Sequence, residues 1–148
     1  MYTLTKCNIF KTYFMLPFIF QLNDQDINVY PCGIIVSPHS PWLAASPDRK
    51  VYHSQMVPSY GLLEIKCPVK PLAECQYLVK DGGHWMLKKN HNYYHQIMMQ
   101  LAVTGLKWCH FYVWREDEYH LECITFDEEF WQDMKTKLDL FYFYHYLD

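Results

Sequence analysis

Three residues in the middle of the chain have side chains that could carry out hydrolysis. Asp48 is followed by Glu64 and Lys66, which one residue separates. Paired carboxylates bind hard divalent cations such as Mg²⁺, and such a cation neutralises charge on a phosphate and lowers the pKa of a bound water. Lys66 could orient or deprotonate that water, or stabilise the charge of the phosphorane. The three residues together predict a metal-dependent phosphodiesterase.

The two strands that would carry these side chains decide whether such a site can form. Residues 61–67 alternate as a strand, so Glu64 and Lys66 share one face. An extended segment directly after Asp48 would bring its carboxylate to Glu64 if the two strands end close together. The alternative is that Glu64 and Lys66 are neighbouring charges on a solvated strand face, because E-x-K occurs by chance in many proteins.

The rest of the chain predicts alternating strands and helices around this pair of strands. Gln96 and Gln100 are four residues apart, so they share one face of a helix that Asn92 would cap and Gly105 would stop. This order of elements predicts an α/β or α+β layer sandwich. The predicted elements are strands at 33–36, 49–52, 61–67, 107–114 and 119–124, a hairpin turn at 81–83, a helix at 92–104, and a final helix that opens at a capping box at 125–128 and runs to about 146.

Length and composition predict one packed domain. The chain has 148 residues, of which 51% are hydrophobic and 20% charged. No apolar run approaches the ~20 residues that cross a bilayer, so we expect no membrane partner. The net charge of −3 divides into +4 for residues 1–110 and −7 for residues 111–148. A basic coat for nucleic acid is therefore absent, and any phosphate-binding surface must be local and lie in the first three quarters of the chain.

The six cysteines stand at positions 7, 32, 67, 75, 109 and 123 and form no C-x-x-C pair. This spacing is poor for a zinc ribbon or an iron–sulfur cluster. We expect reduced cysteines, with Cys109 and Cys123 buried in strands, and an intracellular protein. The even count and the apolar residues 12–20 leave a secreted, disulfide-bonded protein as an alternative.

Three segments in order, residues 43–48, 61–68 and 93–105, resemble the YqaJ-type viral recombinase domain, a lambda-exonuclease-like member of the PD-(D/E)XK nuclease superfamily. The likeness covers roughly residues 30–146. It implies a restriction-endonuclease-like α/β core, in which helices flank a mixed sheet. We therefore divide the chain into an irregular apolar N-terminal segment, residues 1–28, and a YqaJ-like nuclease domain, residues 29–148.

The resemblance assigns a role to each motif residue. It makes Asp48 and Glu64 ligands of Mg²⁺ or Mn²⁺, the Ile65 carbonyl a further ligand, and Lys66 the catalytic lysine. Gln96 would complete the catalytic set and shape the cleft. DNA would be the substrate, and a homo-oligomer or a recombination partner protein is compatible with the family. The residues expected to contact DNA are Ser46, Arg49, Tyr93 and Gln100.

The sequence departs from the family pattern at three places. Relatives have an upstream helix that supplies a further Glu, and nothing before Asp48 matches it; we therefore expect this first helix to be missing. Arg49 stands where a Gly commonly follows the aspartate, and the stretch between Pro68 and the helix of Gln96 is short. The expected function is a metal-dependent deoxyribonuclease that acts as an exonuclease and leaves a 5′-phosphate. The alternative is a catalytically inactive, truncated nuclease-fold domain that binds DNA or is a relic.

Overall fold

The computed structural model describes residues 26–147 and, upstream of them, Phe18. The predictions of an irregular segment at 1–28 and of a missing upstream helix fall mostly on residues outside this part of the chain. The described elements are β1 (Ile27–Pro31), β2 (Ile35–Val36), β3 (Ala44–Ala45), β4 (Arg49–His53), β5 (Tyr60–Lys66), a 3₁₀ turn (Leu72–Glu74), β6 (Leu78–Asp81), β7 (His84–Leu87), α1 (Asn92–Thr104), β8 (Trp108–Trp114), β9 (Tyr119–Thr125), α2 (Glu128–Phe141) and a π-helical end (Tyr142–Tyr146).

A mixed five-stranded sheet organises the molecule, in the order β1-β4-β5-β8-β9. Only β5 and β8 pair in parallel, with Glu64 opposite Phe111, and the other neighbours are antiparallel. The crossover from β5 to β8 contains the β6–β7 hairpin and α1, as a parallel connection requires. The predicted mixed sheet with helices is therefore confirmed.

The alternation of β5 separates two cores, one on each face of the sheet. Leu62 joins the helix-side core, in which α1 covers β5, β8 and β9. Leu63 and Ile65 join the opposite core, together with Trp108, Tyr112 and Phe18. Each turn of α1 contributes a buried apolar residue to the helix-side core, which is the packing that an amphipathic helix needs. The helix-side residues of α1 are Tyr94, Ile97, Met98 and Leu101.

A third cluster attaches α2 to the outer side of α1. Trp131 of α2 packs with Val103 of α1 and with Leu43, next to the β2–β3 hairpin. Trp42 lies against the end of α2, where its indole donates a hydrogen bond to Asp139 at 3.1 Å. Phe130 and Met134 of α2 also pack against the helix-side core, so both helices lie on this face of the sheet.

The helix at 92–104 is confirmed, but its cap differs from the prediction. The backbone enters α1 at His91, whose Nδ1 accepts a hydrogen bond from the N–H of Tyr93 at 3.2 Å. Asn92 is the first helical residue and not the cap. Gly105 ends the helix with φ of 72°, a left-handed conformation that glycine adopts at no steric cost.

The predicted capping box at 125–128 is wrong. Thr125 is the last residue of β9, where it pairs with Trp108, and the helix begins only three residues later, at Glu128. Asp127 caps α2 instead, and its carboxylate accepts the N–H of Phe130 at 3.1 Å. The helical end at Tyr146 agrees with the predicted extent.

Strand β1 is an element that the sequence pattern did not reveal. It is five residues long and lies at the edge of the sheet, where Ile27 and Val29 face the opposite core while Asn28 and Tyr30 are exposed. Its range crosses residue 28, so the domain boundary placed there stays a prediction.

The cysteines of the described chain are free thiols, as the expected reduced state requires: Cys32, Cys67, Cys75, Cys109 and Cys123. Cys109 is buried on the central strand β8, as predicted. Cys123 is exposed, contrary to the prediction, because β9 is an edge strand. Across residues 26–147, no helix is both long and apolar enough to span a bilayer.

A buried histidine of the opposite core provides a test of this packing. His110 is 4% exposed, and neither ring nitrogen has a hydrogen-bond partner among the described residues. Burial, helped by repulsion from His53, lowers the pKa of His110 from 6.5 to about 4. Between pH 6.5 and pH 4 the unfolded chain therefore binds a proton at His110 that the folded protein does not bind. The free energy of unfolding consequently decreases as the pH falls through this window.

We expect His110→Phe to remove this loss, because phenylalanine fills the same aromatic site and leaves no hydrogen bond broken. Between pH 6.5 and pH 4 the free energy of unfolding of the wild type should fall by about 3 kcal/mol more than that of the variant. Urea denaturation across this pH range measures the difference. Replacement of the exposed His39 by Gln is the control, and parallel pH profiles for wild type and His110→Phe would contradict the assignment.

Candidate functional site

The two acidic residues of the predicted site lie where the pairing of β4 and β5 ends. The antiparallel pairing of these strands ends at Arg49 and Leu63, and one further step in the same register would place Asp48 opposite Glu64. The ladder does not continue there. Instead the carboxylate of Asp48 accepts the N–H of Ile65 at 2.9 Å.

This hydrogen bond also orients the backbone of β5. The N–H and C=O of a strand residue point to the same neighbouring strand, so the Ile65 carbonyl faces the side on which Asp48 lies. Because Ile65 follows Glu64 directly, the Asp48 carboxylate and the Ile65 carbonyl lie next to Glu64 along β5, while the Glu64 carboxylate is turned to α1. The convergence of the two carboxylates on one cation stays a prediction.

Glu64 is the most constrained side chain of the site. It is 2% exposed, and three donors from two elements bind its carboxylate. Oε1 accepts from Lys66 Nζ at 2.5 Å and from Gln96 Nε2 at 2.9 Å, while Oε2 accepts from Gln100 Nε2 at 3.0 Å. Gln96 and Gln100 share one face of α1, as predicted, and that face is turned to Glu64.

Lys66 is held on several sides without being enclosed. Its ammonium lies 3.4 Å from Gln96 Oε1 and 4.1 Å from the ring centroid of Tyr93, in addition to its ion pair with Glu64. The side chain is 16% exposed, so the cation stands at the mouth of the site and the carboxylate below it. A cation over a tyrosine face is attracted by the ring but keeps its charge.

The electrostatics at Cys109 connect the two carboxylates. This thiol is fully buried on β8 beside β5, where it pairs with Leu62. Burial raises the pKa of Cys109 well above its ordinary range, and the negative charges of Glu64 and, more weakly, Asp48 raise it further. Both carboxylates therefore act electrostatically on one buried thiol.

The four residues expected to contact DNA lie in different environments. Ser46 is exposed, two residues before Asp48. Arg49 pairs with Leu63 and so belongs to the opposite face of the sheet, with its guanidinium donating to the Asp48 carbonyl at 2.6 Å. Tyr93 is partly buried beneath Lys66, and Gln100 is 2% exposed. The roles of these residues toward DNA stay predictions.

The contact of Tyr93 with Lys66 is the feature that sequence reasoning missed. Tyr93 and Gln96 are three residues apart on α1, a spacing that puts both on one face, so the signal was present. What the sequence lacked was the direction of α1 relative to β5. Tyr93 also packs edge-on against Tyr77, with ring centroids 5.0 Å apart, which fixes its ring under the ammonium.

The donor chemistry of the site fits a hard cation. Asp48, Glu64 and the Ile65 carbonyl offer only oxygen, the donor that Mg²⁺ and Mn²⁺ prefer. Within the described part of the chain, no group of three or more His, Cys, Asp or Glu side chains is arranged to hold a metal ion. The groups that could hold the cation are thus two carboxylates and one carbonyl.

Comparison with known sequences identifies the family. A sequence model of the YqaJ-like viral recombinase domain matches residues 20–107, which is more than half of the chain and includes the strands and the helix of the site. The chain belongs to the YqaJ-like viral recombinase domain family. No curated protein sequence matches the chain.

Solved structures share the YqaJ-like fold. The chain is similar to LHK-Exo, an alkaline exonuclease from Laribacter hongkongensis, with a TM-score of 0.61 and 23% sequence identity. The match covers 86% of this chain and 60% of LHK-Exo, and a structure of LHK-Exo in complex with dAMP matches equally well. The chain therefore spans well under two thirds of the length of the exonuclease whose fold it shares.

The two glutamines that hold Glu64 should contribute unequally to stability. Gln100→Met keeps the size of the side chain but removes the donor to Oε2 of Glu64, which accepts no other hydrogen bond from the described residues. We expect a loss of about 1.5–3 kcal/mol in the free energy of unfolding, the cost of a hydrogen bond to a charged group. Gln96→Met is the matched control and should cost less, because Lys66 still binds Oε1. Thermal and urea denaturation of both variants measure this order, and equal losses would contradict the arrangement.

Proposed function

We propose that this YqaJ-like chain is a metal-dependent deoxyribonuclease of viral-recombinase type that hydrolyses DNA phosphodiester bonds, acting as an exonuclease. The observation that carries the proposal is the Glu64 carboxylate, bound by Lys66 and Gln96, at the strand gap into which Asp48 projects. Membership of a recombinase domain family supports the choice of DNA as substrate. The alkaline exonuclease named above shares the fold, which supports the exonucleolytic mode.

The proposed chemistry assigns the residues as follows. Asp48, Glu64 and the Ile65 carbonyl would hold Mg²⁺ or Mn²⁺, which supplies charge neutralisation at the phosphate and a bound water of lowered pKa. Water forms a new bond to phosphorus while the bond from phosphorus to the 3′-oxygen breaks. The 3′-oxygen takes up a proton, and the other product carries a 5′-phosphate.

Lys66 would act on the charge that develops during this reaction. Its ammonium is at the mouth of the site, where it can donate hydrogen bonds to a phosphate oxygen or to the attacking water. Gln96 contacts both Lys66 and Glu64, so it sets the distance between the cation and the carboxylate. Gln96 would therefore hold the catalytic pair in position, in agreement with its predicted place in the catalytic set.

A second candidate is a catalytically inactive member of the family that binds DNA or is a relic. The described ligand set favours it, because it contains two carboxylates and no third acidic side chain. The two candidates differ in whether the carboxylates bind a divalent cation. They share the prediction that DNA is the partner.

The proposed assembly and location complete the hypothesis. We propose an intracellular protein that works as a homo-oligomer or with a recombination partner protein. Large apolar side chains at the end of the chain support an interface there, since Phe141 is 60% exposed and Tyr146 is 71% exposed.

Loss of the Lys66 ammonium should abolish nuclease activity. We expect the wild type to degrade linear DNA with Mg²⁺ or Mn²⁺, and Lys66→Gln to be slower by about 10²–10³-fold, because one stabiliser of transition-state charge is lost. Glutamine can still donate to Glu64, which keeps the carboxylate paired. Lys80→Gln, on the exposed β6, is the control for loss of a positive charge. Equal rates for wild type and Lys66→Gln, with unchanged thermal unfolding, would remove the assignment.

Cation binding separates the two candidates. Asp48→Asn retains an oxygen acceptor for the Ile65 N–H but removes a negative charge, so the fold should be kept and the affinity for Mn²⁺ should fall by at least about tenfold. Isothermal titration calorimetry of wild type and variant measures this change. A folded wild type with no carboxylate-dependent affinity for Mn²⁺ would favour the inactive domain.

A further inference from the structure

The half of the sheet that α1 leaves open carries a group of aromatic and basic side chains. The helix-side core includes residues of β5, β8 and β9 but none of β1 or β4. On those two strands the buried side chains Ile27 and Val51 belong to the opposite core. The side chains that alternate with them on β1 and β4, together with Tyr60 of the neighbouring strand β5, lie on the helix side of the sheet. We call this surface the tyrosine platform, and it consists of Tyr30, Lys50, Tyr52 and Tyr60.

Register and contacts bring the platform residues together. Tyr30 pairs directly with Lys50 across β1 and β4, and Tyr52 pairs with Tyr60 across β4 and β5. The rings of Tyr52 and Tyr60 meet edge-to-face with centroids 5.2 Å apart, and Lys50 Nζ lies 4.5 Å from the ring centroid of Tyr60. Tyr30 is 42% exposed and Tyr60 43% exposed, so both present ring surface to solvent.

The platform lies on the same face of the sheet as the candidate catalytic residues. Lys50 pairs with Leu62, and Tyr60, Leu62 and Glu64 follow each other at two-residue spacing on β5. Four residues of strand span about 13 Å, which separates Tyr60 from Glu64 along the strand. That is the length of about four stacked nucleotides at 3.4 Å each.

A cavity adjoins the platform on the side of α1. It has a volume of about 340 Å³ and is lined by Lys50 and Leu62 of the sheet and by Val103, Thr104 and Leu106 near the end of α1, with residues of the β2–β3 region closing it. Leu62 forms part of its floor and stands between Tyr60 and Glu64 on β5. The open platform therefore ends at this cavity, and α1 covers β5 between the cavity and the buried Glu64.

We propose that the tyrosine platform binds single-stranded DNA next to the scissile bond, an inference that rests on the proposed nuclease function. Tyrosine rings offer stacking surface to any unpaired base, whereas the bases of a duplex have their faces covered by their neighbours. Lys50 adds a positive charge amid the rings for the phosphates. The described platform thus combines the two features of sequence-tolerant single-strand binding, which are aromatic faces and a local cation.

The charge of the chain agrees with this occupant. Lys50 belongs to residues 1–110, which carry the positive excess of +4, and no acidic side chain is among the four platform residues. Its contact is the face of Tyr60, which leaves the ammonium available to a phosphate. A second copy of this chain would instead bring two such patches together, each with the positive charge of Lys50, because a two-fold interface joins identical patches.

Binding without cleavage tests the platform. Fluorescence anisotropy in EDTA, which prevents cleavage, measures binding of a fluorescein-labelled oligothymidylate. The wild type should bind it, and the affinity should fall by about tenfold in Tyr60→Leu and in Tyr52→Leu, which is the loss expected for one stacked base. Lys50→Gln should lower the slope of log Kd against log salt by about 0.7, the value for one phosphate contact on a single strand. A blunt duplex of the same length should bind more weakly and respond less to the tyrosine variants.

Matched controls separate the platform from general effects. Tyr119→Leu changes a tyrosine that is 53% exposed on the other edge strand, and Lys80→Gln changes a lysine that also lies over an aromatic ring. Both should bind the oligonucleotide as the wild type does. Unchanged affinity in all platform variants would overturn the proposal. If these variants also sediment as a smaller species than the wild type, the face is an interface between copies of the chain.

Kinetics distinguish failure of this inference from failure of the proposed function. If the chain cleaves DNA, the platform variants should raise KM for single-stranded substrate with kcat kept, because they remove binding away from the reacting atoms. A wild type that cleaves while platform variants keep both kinetic values and the affinity overturns the platform only. A wild type that does not cleave but loses oligonucleotide affinity in the platform variants overturns the nuclease and leaves a binding surface.

Discussion

The burial of one carboxylate sets the arrangement of the whole site. Glu64 is 2% exposed on a central strand, and an ionised group in such a place is costly unless a counter-charge and hydrogen bonds compensate it. Lys66 supplies the charge from the same strand, and Gln96 and Gln100 supply the bonds from α1. The requirement that α1 present two amides to one side chain fixes both the rotation of the helix about its axis and its height above β5. The apolar contacts of α1 then hold the helix against the sheet, with the polar group enclosed beneath it.

The second constraint is the place where β4 and β5 separate. Within a sheet, the backbone groups of β5 would be occupied by a neighbouring strand, and no side chain could reach them. At Asp48 the ladder ends, and the carboxylate takes the Ile65 N–H that the strand would have used. The same split turns the Ile65 carbonyl toward the gap. A strand end is therefore a means of placing oxygen atoms of a side chain and of the main chain together, and it brings an aspartate that lies sixteen residues from Glu64 in sequence to Ile65, the neighbour of Glu64.

Local pattern was sufficient for the elements that build the site, and it failed where long-range packing decides. The alternation of residues 61–67 and the four-residue spacing of Gln96 and Gln100 predicted which side chains share a face, because periodicity alone determines that. The cap of α2 was misplaced because β9 extends through Thr125, and the pairing of that residue with Trp108 is a tertiary contact that propensity does not contain. Which atoms of Tyr93 meet Lys66 likewise depends on the docking of α1, which no local signal specifies.

The positively charged side chains of residues 1–110 and those of residues 111–148 have different partners. This difference explains how a protein of net charge −3 can present positive charge to a phosphate. All three Lys and Arg residues after position 110 are consumed by ion pairs within that region: Arg115 with Asp117, Lys135 with Asp139 and Lys137 with Asp133. Lys50 and Lys66, on one face of the sheet, lie over tyrosine rings at 4.5 Å and 4.1 Å. An aromatic face restrains a long side chain and attracts its ammonium but carries no net charge. Lys66 is also paired with Glu64, whereas the described contact of Lys50 is the ring of Tyr60. A carboxylate would have restrained Lys50 equally well and cancelled its field, which the tyrosine keeps in the region to which the sequence confined any phosphate-binding surface.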